Sequence, residues 1–263
     1  MNSTGRVHLQ VKGSHIVASG ISDIGRVRSE NQDSIYLDKE GHFMLLADGM
    51  GGHERGAEAS ETAVKIIQEY LHPDVIASEL HDITNVDGVP SEIICLFSLI
   101  DKAITKANSE IYQHNQEIGL ERYMGTTVVG LVPVKGGNVI WFHVGDSRLY
   151  RWRDSTLTSI TTDHSAYEEW VRNGQSGNEP AKNVVTRAVG PREGVIPSID
   201  WEKYQQDDTY ILCSDGLTDM VSDEQIGDII KTETDVDDIT NRLVDAAMDA
   251  GGKDNTSVVV CRV

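Results

Sequence analysis

The spacing of apolar positions changes along the chain, and each change marks an element. Residues 1–13 are polar and read as a loose start. Residues 15–23 read as a strand, which Gly25 breaks. Residues 26–33 are dense in polar groups, and 34–37 resume a strand. Asp38-Lys39-Glu40-Gly41 suits a hairpin turn into the apolar run at 43–47, so three strands precede the first long helix. Residues 58–71 carry Ala59, Ala63, Val64 and Ile67 at helical spacing, and Pro73 marks the end. Asn85, Asp87, Gly88 and Pro90 suggest a loop. Ser91 and Glu92 open a second helix, on which Ile94, Phe97, Ile100, Ile104, Ala107 and Ile111 recur.

From Gly125 the chain turns β-branched. Residues 126–132, 139–144, 148–152 and 157–161 read as successive strands of a β-meander, with turns at Lys135-Gly136-Gly137-Asn138 and Arg153-Asp154-Ser155. Residues 163–194 hold a short helix near 167–171 and a polar stretch at 173–180. That pattern suits a mobile flap over a site, and fits a plain surface loop equally well. Residues 197–201 and 209–213 are strands. Asp223 is placed to cap a helix over 224–230, 235–250 form a last helix, and 257–263 close as a strand. No linker rich in Pro, Ser or Gly divides the sequence. One domain over residues 1–263 is expected, of α+β class, with antiparallel sheets packed together and helices on the outer faces.

An acidic residue followed by Gly, Ser or Asn recurs at Asp48-Gly49, Asp146-Ser147, Asp215-Gly216 and Asp254-Asn255. Asp and Gly favour turns on their own account. The recurrence is what suggests a single acidic cluster gathered from across the chain, with Asp33 in a similar context. Carboxylates at short range repel and raise one another's pKa, so they stay ionised together only around cations. Oxygen donors, with Gly49 leaving its carbonyl uncovered and with no Cys nearby, point to Mg2+ or Mn2+ and away from zinc. Two such ions acidify a water and aim it at phosphorus. Arg28 lies close to Asp33, and a guanidinium matches phosphate oxygens in pairs. The residues alone therefore suggest a dimetal phosphohydrolase.

Composition narrows the alternatives. The 263 residues carry 23 basic and 42 acidic side chains, a net charge of −19, which excludes nucleic-acid or anionic-membrane binding by bulk attraction. Cys95, Cys213 and Cys261 are far apart among apolar neighbours and read as buried thiols in a reducing compartment. No CxxC pair suggests structural zinc. No signal-peptide core or run of about 18–20 apolar residues occurs, so a cytoplasmic protein without membrane insertion is expected, a monomer by default. A Ser-His-Asp hydrolase lacks its Gly-x-Ser-x-Gly pentapeptide, and His164 beside Ser165 reads as structural. Trp141, Trp152, Trp170 and Trp201 read as core or flap packing.

The ordered motifs GRVRSENQD (25–33), ADGMGG (47–52), Gly125-Thr126-Thr127, GDSR (145–148), Asp163-His164-Ser165, VTRAVG (185–190), Ser214-Asp215-Gly216-Leu217 and Asp254-Asn255-Thr256-Ser257 carry a resemblance. The chain resembles the metal-dependent protein phosphatases of the PPM family (type 2C), in particular compact bacterial members, over about residues 15–263. The resemblance implies a central β-sandwich of two antiparallel sheets flanked by helices on both sides, a four-layer αββα arrangement with a flap near 163–194. It implies hydrolysis of phosphoserine and phosphothreonine in proteins without a phosphoenzyme, with Mn2+ or Mg2+ as two core ions and a third, weaker one. Asp48 would bridge the core ions, the Gly49 carbonyl would complete one coordination sphere, and Asp215 and Asp254 would hold the other ion. Asp146 with Asp215 would hold the third. Asp33 would order water beside the ions or reach one through it. Arg28, or its neighbour Arg26, would bind substrate phosphate. The implied partners are phosphorylated Ser/Thr proteins, including a cognate Ser/Thr kinase. The sequence departs from the pattern at Met50, where some members carry a histidine proposed as general acid; His53 is an alternative proton donor. It departs again at Gln32, often Glu, and at Trp170 in the flap.

Overall fold

A computed structural model describes residues 5–13, 16–51, 55–80, 88–181 and 183–263. Two antiparallel sheets face each other. The first runs, in spatial order, β1 (Arg6–Lys12), β2 (Val17–Asp23), β12 (Thr256–Arg262), β11 (Thr209–Cys213), β8 (Arg148–Arg153) and β9 (Thr156–Ser159). The second runs β10 (Ser198–Lys203), β7 (Asn138–Val144), β6 (Val128–Val134), β4 (Met44–Met50) and β3 (Asp33–Leu37), with the short β5 (Gly125–Thr126) paired to β4. Helices α1 (Arg55–Tyr70) and α3 (Ser91–Glu117) cover the second sheet, with α2 (Pro73–Glu79) beside them. Helices α6 (Asp223–Thr232) and α7 (Val236–Asp249) cover the first. The helices α4 (Ala166–Arg172) and α5 (Asp215–Thr218) are short.

This layering explains the unbroken apolar runs. A strand with a helix layer on one face and a sheet on the other is buried on both. In β4, Met44 and Leu46 enter the inner layer, while Leu45 and Ala47 pack toward α1 and α3. In β12, Val259 and Cys261 point inward and Val258 and Val260 toward α7. The four-layer αββα expectation is met. All three cysteines are buried, and Trp141, Trp152 and Trp201 pack against core clusters. Among the described residues no helix is long and apolar enough to cross a membrane.

Several local expectations need correction. Residues 6–12 are not loose: β1 pairs along its whole length with β2, from Arg6↔Asp23 to Lys12↔Val17, and its alternating Val7, Leu9 and Val11 suit a strand, with Leu9 and Val11 packed on the inner layer. The predicted meander is two hairpins in different sheets. β6 and β7 pair in one sheet and β8 and β9 in the other, and the Gly145-Asp146-Ser147 link crosses between them. On α3, Ile93, Leu96 and Leu99 are buried, whereas Ile94 and Phe97 lie at the margin, so the apolar stripe starts one position earlier than its bulkiest residues suggest. The cap of α6 is Ser222, in a reciprocal box with Gln225, and Asp223 is the first helical residue.

Candidate active site

The acidic turns meet at one end of the sandwich. Asp48 sits near the end of β4, Asp146 in the link between sheets, Asp215 at the start of α5 directly after β11, and Asp254 just before β12. A cavity of about 450 Å³ is lined by Arg28, Asp48, Gly49, Asp146, Asp215 and Asp254. Asp33 opposes Asp48 in the β3–β4 register and is buried beneath the cavity. Five turns that are distant in sequence thus become neighbours because strands of both sheets end here.

Backbone contacts fix each turn. The Asp48 N–H donates to Thr127 Oγ1 (3.0 Å), and its carbonyl accepts from Thr126 Oγ1 (2.9 Å) and Thr127 N–H (2.8 Å). Thr127 Oγ1 lies 2.7 Å from Ser147 Oγ, which couples the Asp48 turn to the Asp146 turn. The Asn255 side chain accepts from Gln32 N–H (2.8 Å) and donates to the carbonyls of Ile24 and Glu30 (2.9 Å each), pinning the loop that carries Arg28. Ser214 Oγ donates to Asp33 Oδ2 (3.0 Å) across the two sheets and accepts from Ser257 N–H (2.9 Å) within its own. At Gly49 any Cβ would lie 2.0 Å from the Gly56 carbonyl oxygen and 2.5 Å from that of Gln32, so only glycine fits.

Charge at this end is poorly balanced. Burial lifts Asp215 to about 7, aided by repulsion from Asp146 and Asp254. Asp146 rises to about 6 through burial and the nearby Asp163, and Asp33 to about 6 chiefly through burial. Asp48 rises well above the usual carboxylate range, by burial and then by Asp33 and Asp215. Arg28 lines the cavity with Nη2 2.5 Å from Asp254 Oδ2. Arg26 instead pairs with Asp249 (3.2 Å) on an exposed surface and does not line the cavity, so geometry separates the two arginines that composition left equivalent.

Among the described residues no three His, Cys, Asp or Glu side chains converge on one point. The carboxylates ring the cavity instead. That arrangement suits hard cations, which take one or two carboxylates each and fill the remaining positions with carbonyls and water. Two observations support the fit. The carboxylates repel one another in a buried setting that a divalent charge would relieve, and buried Asp33 Oδ1 has no hydrogen-bond partner within the described residues. Among the described residues no thiol or imidazole donor, which zinc prefers, lines the cavity.

His164 is structural. Its ring stacks on His143 at 4.2 Å, Nδ1 accepts from Gly145 N–H (3.1 Å), and burial pushes its pKa down to about 3. His53 lies outside the described residues. Within 163–194, Ser165 caps α4 and bridges to Val185, and Asp163 holds Arg148 through paired contacts of 2.9 and 2.7 Å. Sequence reasoning missed Asp219, which joins Asp146, Asp163 and Asp215 around an adjoining cavity of about 430 Å³. It also missed Arg122, which lines the acidic cavity opposite in charge to its carboxylates. Asp219 lies one helical turn after Asp215, a spacing that was visible; Arg122 carried no local signal.

Comparison with known proteins identifies the family and the fold. The sequence profile of one family, protein phosphatase 2C, matches residues 25–253. The chain is 31% identical over 247 residues to the serine/threonine phosphatase stp of Listeria welshimeri, covering 91% of this chain and 92% of that protein. The structure is similar to the Mycobacterium tuberculosis serine/threonine phosphatase PstP/Ppp, with a TM-score of 0.79, 31% identity, and 94% and 98% of the two chains covered. It is also similar to the catalytic domain of the serine/threonine protein phosphatase PstP in complex with two manganese ions, with a TM-score of 0.75, 32% identity, and 94% and 97% covered.

Proposed function

The chain belongs to the protein phosphatase 2C family and is a metal-dependent serine/threonine protein phosphatase, and we propose that its acidic cavity holds two divalent cations, Mn2+ or Mg2+, between Asp48, Asp215 and Asp254. In this reading Asp48, the Gly49 carbonyl, Asp215 and Asp254 would hold the ions. Asp146 and Asp215 offer a third, weaker site, to which Asp219 adds charge. The cations, when bound, supply Lewis acidity for the phosphoryl oxygens and acidify water for attack on phosphorus.

The chain's own groups do the rest. Arg28 pairs with phosphate oxygens through its guanidinium and sets the phosphorus at the cavity floor. The Asp254 carboxylate orients that guanidinium. Asp33 orients water from below, held by Ser214. Met50 lines the cavity where other members carry a histidine, and a thioether donates no proton. The departing Ser or Thr oxygen therefore takes its proton from water or another cavity group. The products are the free hydroxyl side chain and inorganic phosphate, which reverses the output of a Ser/Thr kinase; a cognate kinase is the proposed counterpart.

One observation carries this assignment: carboxylates from four separate strand ends line one cavity together with Arg28. The test is phosphate release from a phosphothreonine peptide with Mn2+, Mg2+ or EDTA, with Asp215→Asn beside the wild type. Turnover that needs the metal and disappears in the variant is expected. Release that persists in EDTA, or in the variant at full rate, refutes the assignment.

A further inference from the structure

A second cavity, of about 710 Å³, opens beside the acidic one, and Met50, Gly51, Arg122 and Val185 line both. Its character is the reverse of the rest of the molecule. In a chain with 42 acidic and 23 basic residues, three arginines line this groove, Arg122, Arg187 and Arg192, and no carboxylate among the described residues does. The remaining wall is apolar, formed largely by Pro191, Val195 and Ile196, and Ile196 is 77% exposed. Within the described residues neither Arg122 nor Arg192 has a charged partner. Arg187 has a polar contact with His164 Nε2, at 3.4 Å, and no carboxylate partner among the described residues. Arg187 and its neighbours belong to the VTRAVG motif, which the chemistry of the acidic cavity does not use.

We propose that this groove docks the stretch of the phosphoprotein that flanks the phosphorylated residue, and that it selects stretches carrying acidic and apolar side chains together. This rests on the phosphatase reading above and adds a substrate preference to it. Two arguments point to that occupant. The first is continuity: a chain whose phosphate sits at Arg28 must leave the acidic cavity across a rim, and Arg122 and Val185 form the rim shared with the groove. An extended chain advances about 3.3–3.6 Å per residue, so the nearest flanking residues fall there. The second is charge. A molecule of net charge −19 repels an acidic substrate at long range. Three guanidiniums lining one groove, with no carboxylate partner among the described residues, offset this locally and offer carboxylates paired N–H donors, while the exposed Ile196 offers an apolar side chain something to cover.

The test uses the full-length enzyme with Mn2+ and three substrates. They are p-nitrophenyl phosphate, a phosphothreonine peptide flanked by Glu and Leu, and the same peptide flanked by Lys and Ser. Arg192 and Ile196 line only the groove, so Arg192→Glu and Ile196→Asp are the variants. The wild type is expected to favour the Glu/Leu peptide by about tenfold in kcat/KM, mainly through KM. Each variant should lower that preference about fivefold while p-nitrophenyl phosphate turnover stays within about twofold. Arg192→Lys should keep most of the preference. Equal rates on the two peptides in the wild type, or an unchanged preference in both variants, overturns the docking proposal. Loss on all three substrates alike overturns it too, as that marks a structural role. Failure of the wild type to hydrolyse p-nitrophenyl phosphate at all sinks the phosphatase reading itself, with the docking proposal along with it.

Discussion

Replacing Asp215 with asparagine removes a negative charge from a place where charge is costly, so the variant should be inactive and, without metal, more stable. Asp215 is lifted from 3.8 to about 7 by burial and by Asp146 and Asp254. At about 1.4 kcal/mol per pH unit, that lift corresponds to roughly 4 kcal/mol of strain in the ionised folded protein. The side chain is partly open to the cavity, and its neighbours continue to repel one another in the variant. An expected gain of about 2 kcal/mol remains, or about 4–8 °C in Tm for a chain of this size. The sign follows from the raised folded pKa. The folded state binds its proton more tightly than the unfolded state, so stability is highest below pH 3.8 and is lost as pH rises through about 7. The advantage of Asp215→Asn is therefore full at pH 8, smaller at pH 5 and absent below about pH 4.

The assay is thermal unfolding of wild type and variant in EDTA at pH 8 and pH 5, repeated at pH 8 with Mn2+. In EDTA at pH 8 the variant should unfold at the higher temperature, and at pH 5 the gap should fall to roughly half or less. With saturating Mn2+ the order should reverse, because only the wild type gains the full binding free energy of the folded state. A variant no more stable than wild type in EDTA at pH 8, or a gap that ignores pH, refutes the argument that these carboxylates strain one another.

Three further outcomes follow from the same geometry. Arg28→Ala should raise KM for a phosphopeptide about tenfold, and Arg26→Ala, whose partner Asp249 is exposed, should change it less than about twofold; steady-state kinetics on the pair checks both. Ser214→Ala removes the donor to Asp33 and the acceptor for Ser257 N–H, so urea unfolding should show a loss of about 1–3 kcal/mol. Gly49→Ala forces a Cβ into the Gly56 carbonyl at 2.0 Å and should cost about 3 kcal/mol or more, whereas Gly194→Ala, with nothing within 4 Å, should leave Tm near the wild-type value.

The sandwich was legible because its strands are buried on both faces. Runs such as Leu45-Leu46-Ala47 and Val258-Val259-Val260 announce themselves without alternation. The acidic turns were legible for a related reason: each follows or precedes such a run, and charge beside an apolar strand stands out. What the sequence hid is information about pairing. Nothing local shows that β7 and β8 belong to different sheets, because Gly145-Asp146-Ser147 reads like any tight turn. Edge strand β1 was legible but passed over: Val7, Leu9 and Val11 alternate with polar residues, the period of a half-buried strand, in a segment whose overall polarity masks it. That Arg28 lines the cavity and Arg26 does not depends on the loop's path, which Asn255 holds from more than two hundred residues away.

That path bears on how the site keeps its shape. Asp48 and Asp33 hang from one sheet, Asp215 and Asp254 from the other, and Asp146 from the link between them. Direct bonds that tie the two halves at this end include Ser214 to Asp33, Asn255 to Gln32, and Thr127 to Ser147. The separation of the carboxylates therefore depends on the thickness of the inner layer, where Leu46 and Val129 meet Leu212 and Val259. Packed interiors transmit volume changes instead of absorbing them. A shift between the sheets moves Asp48 relative to Asp215, and cations bound by both would register it first. The inner layer is in this sense part of the catalytic equipment, although none of these four side chains lines the cavity.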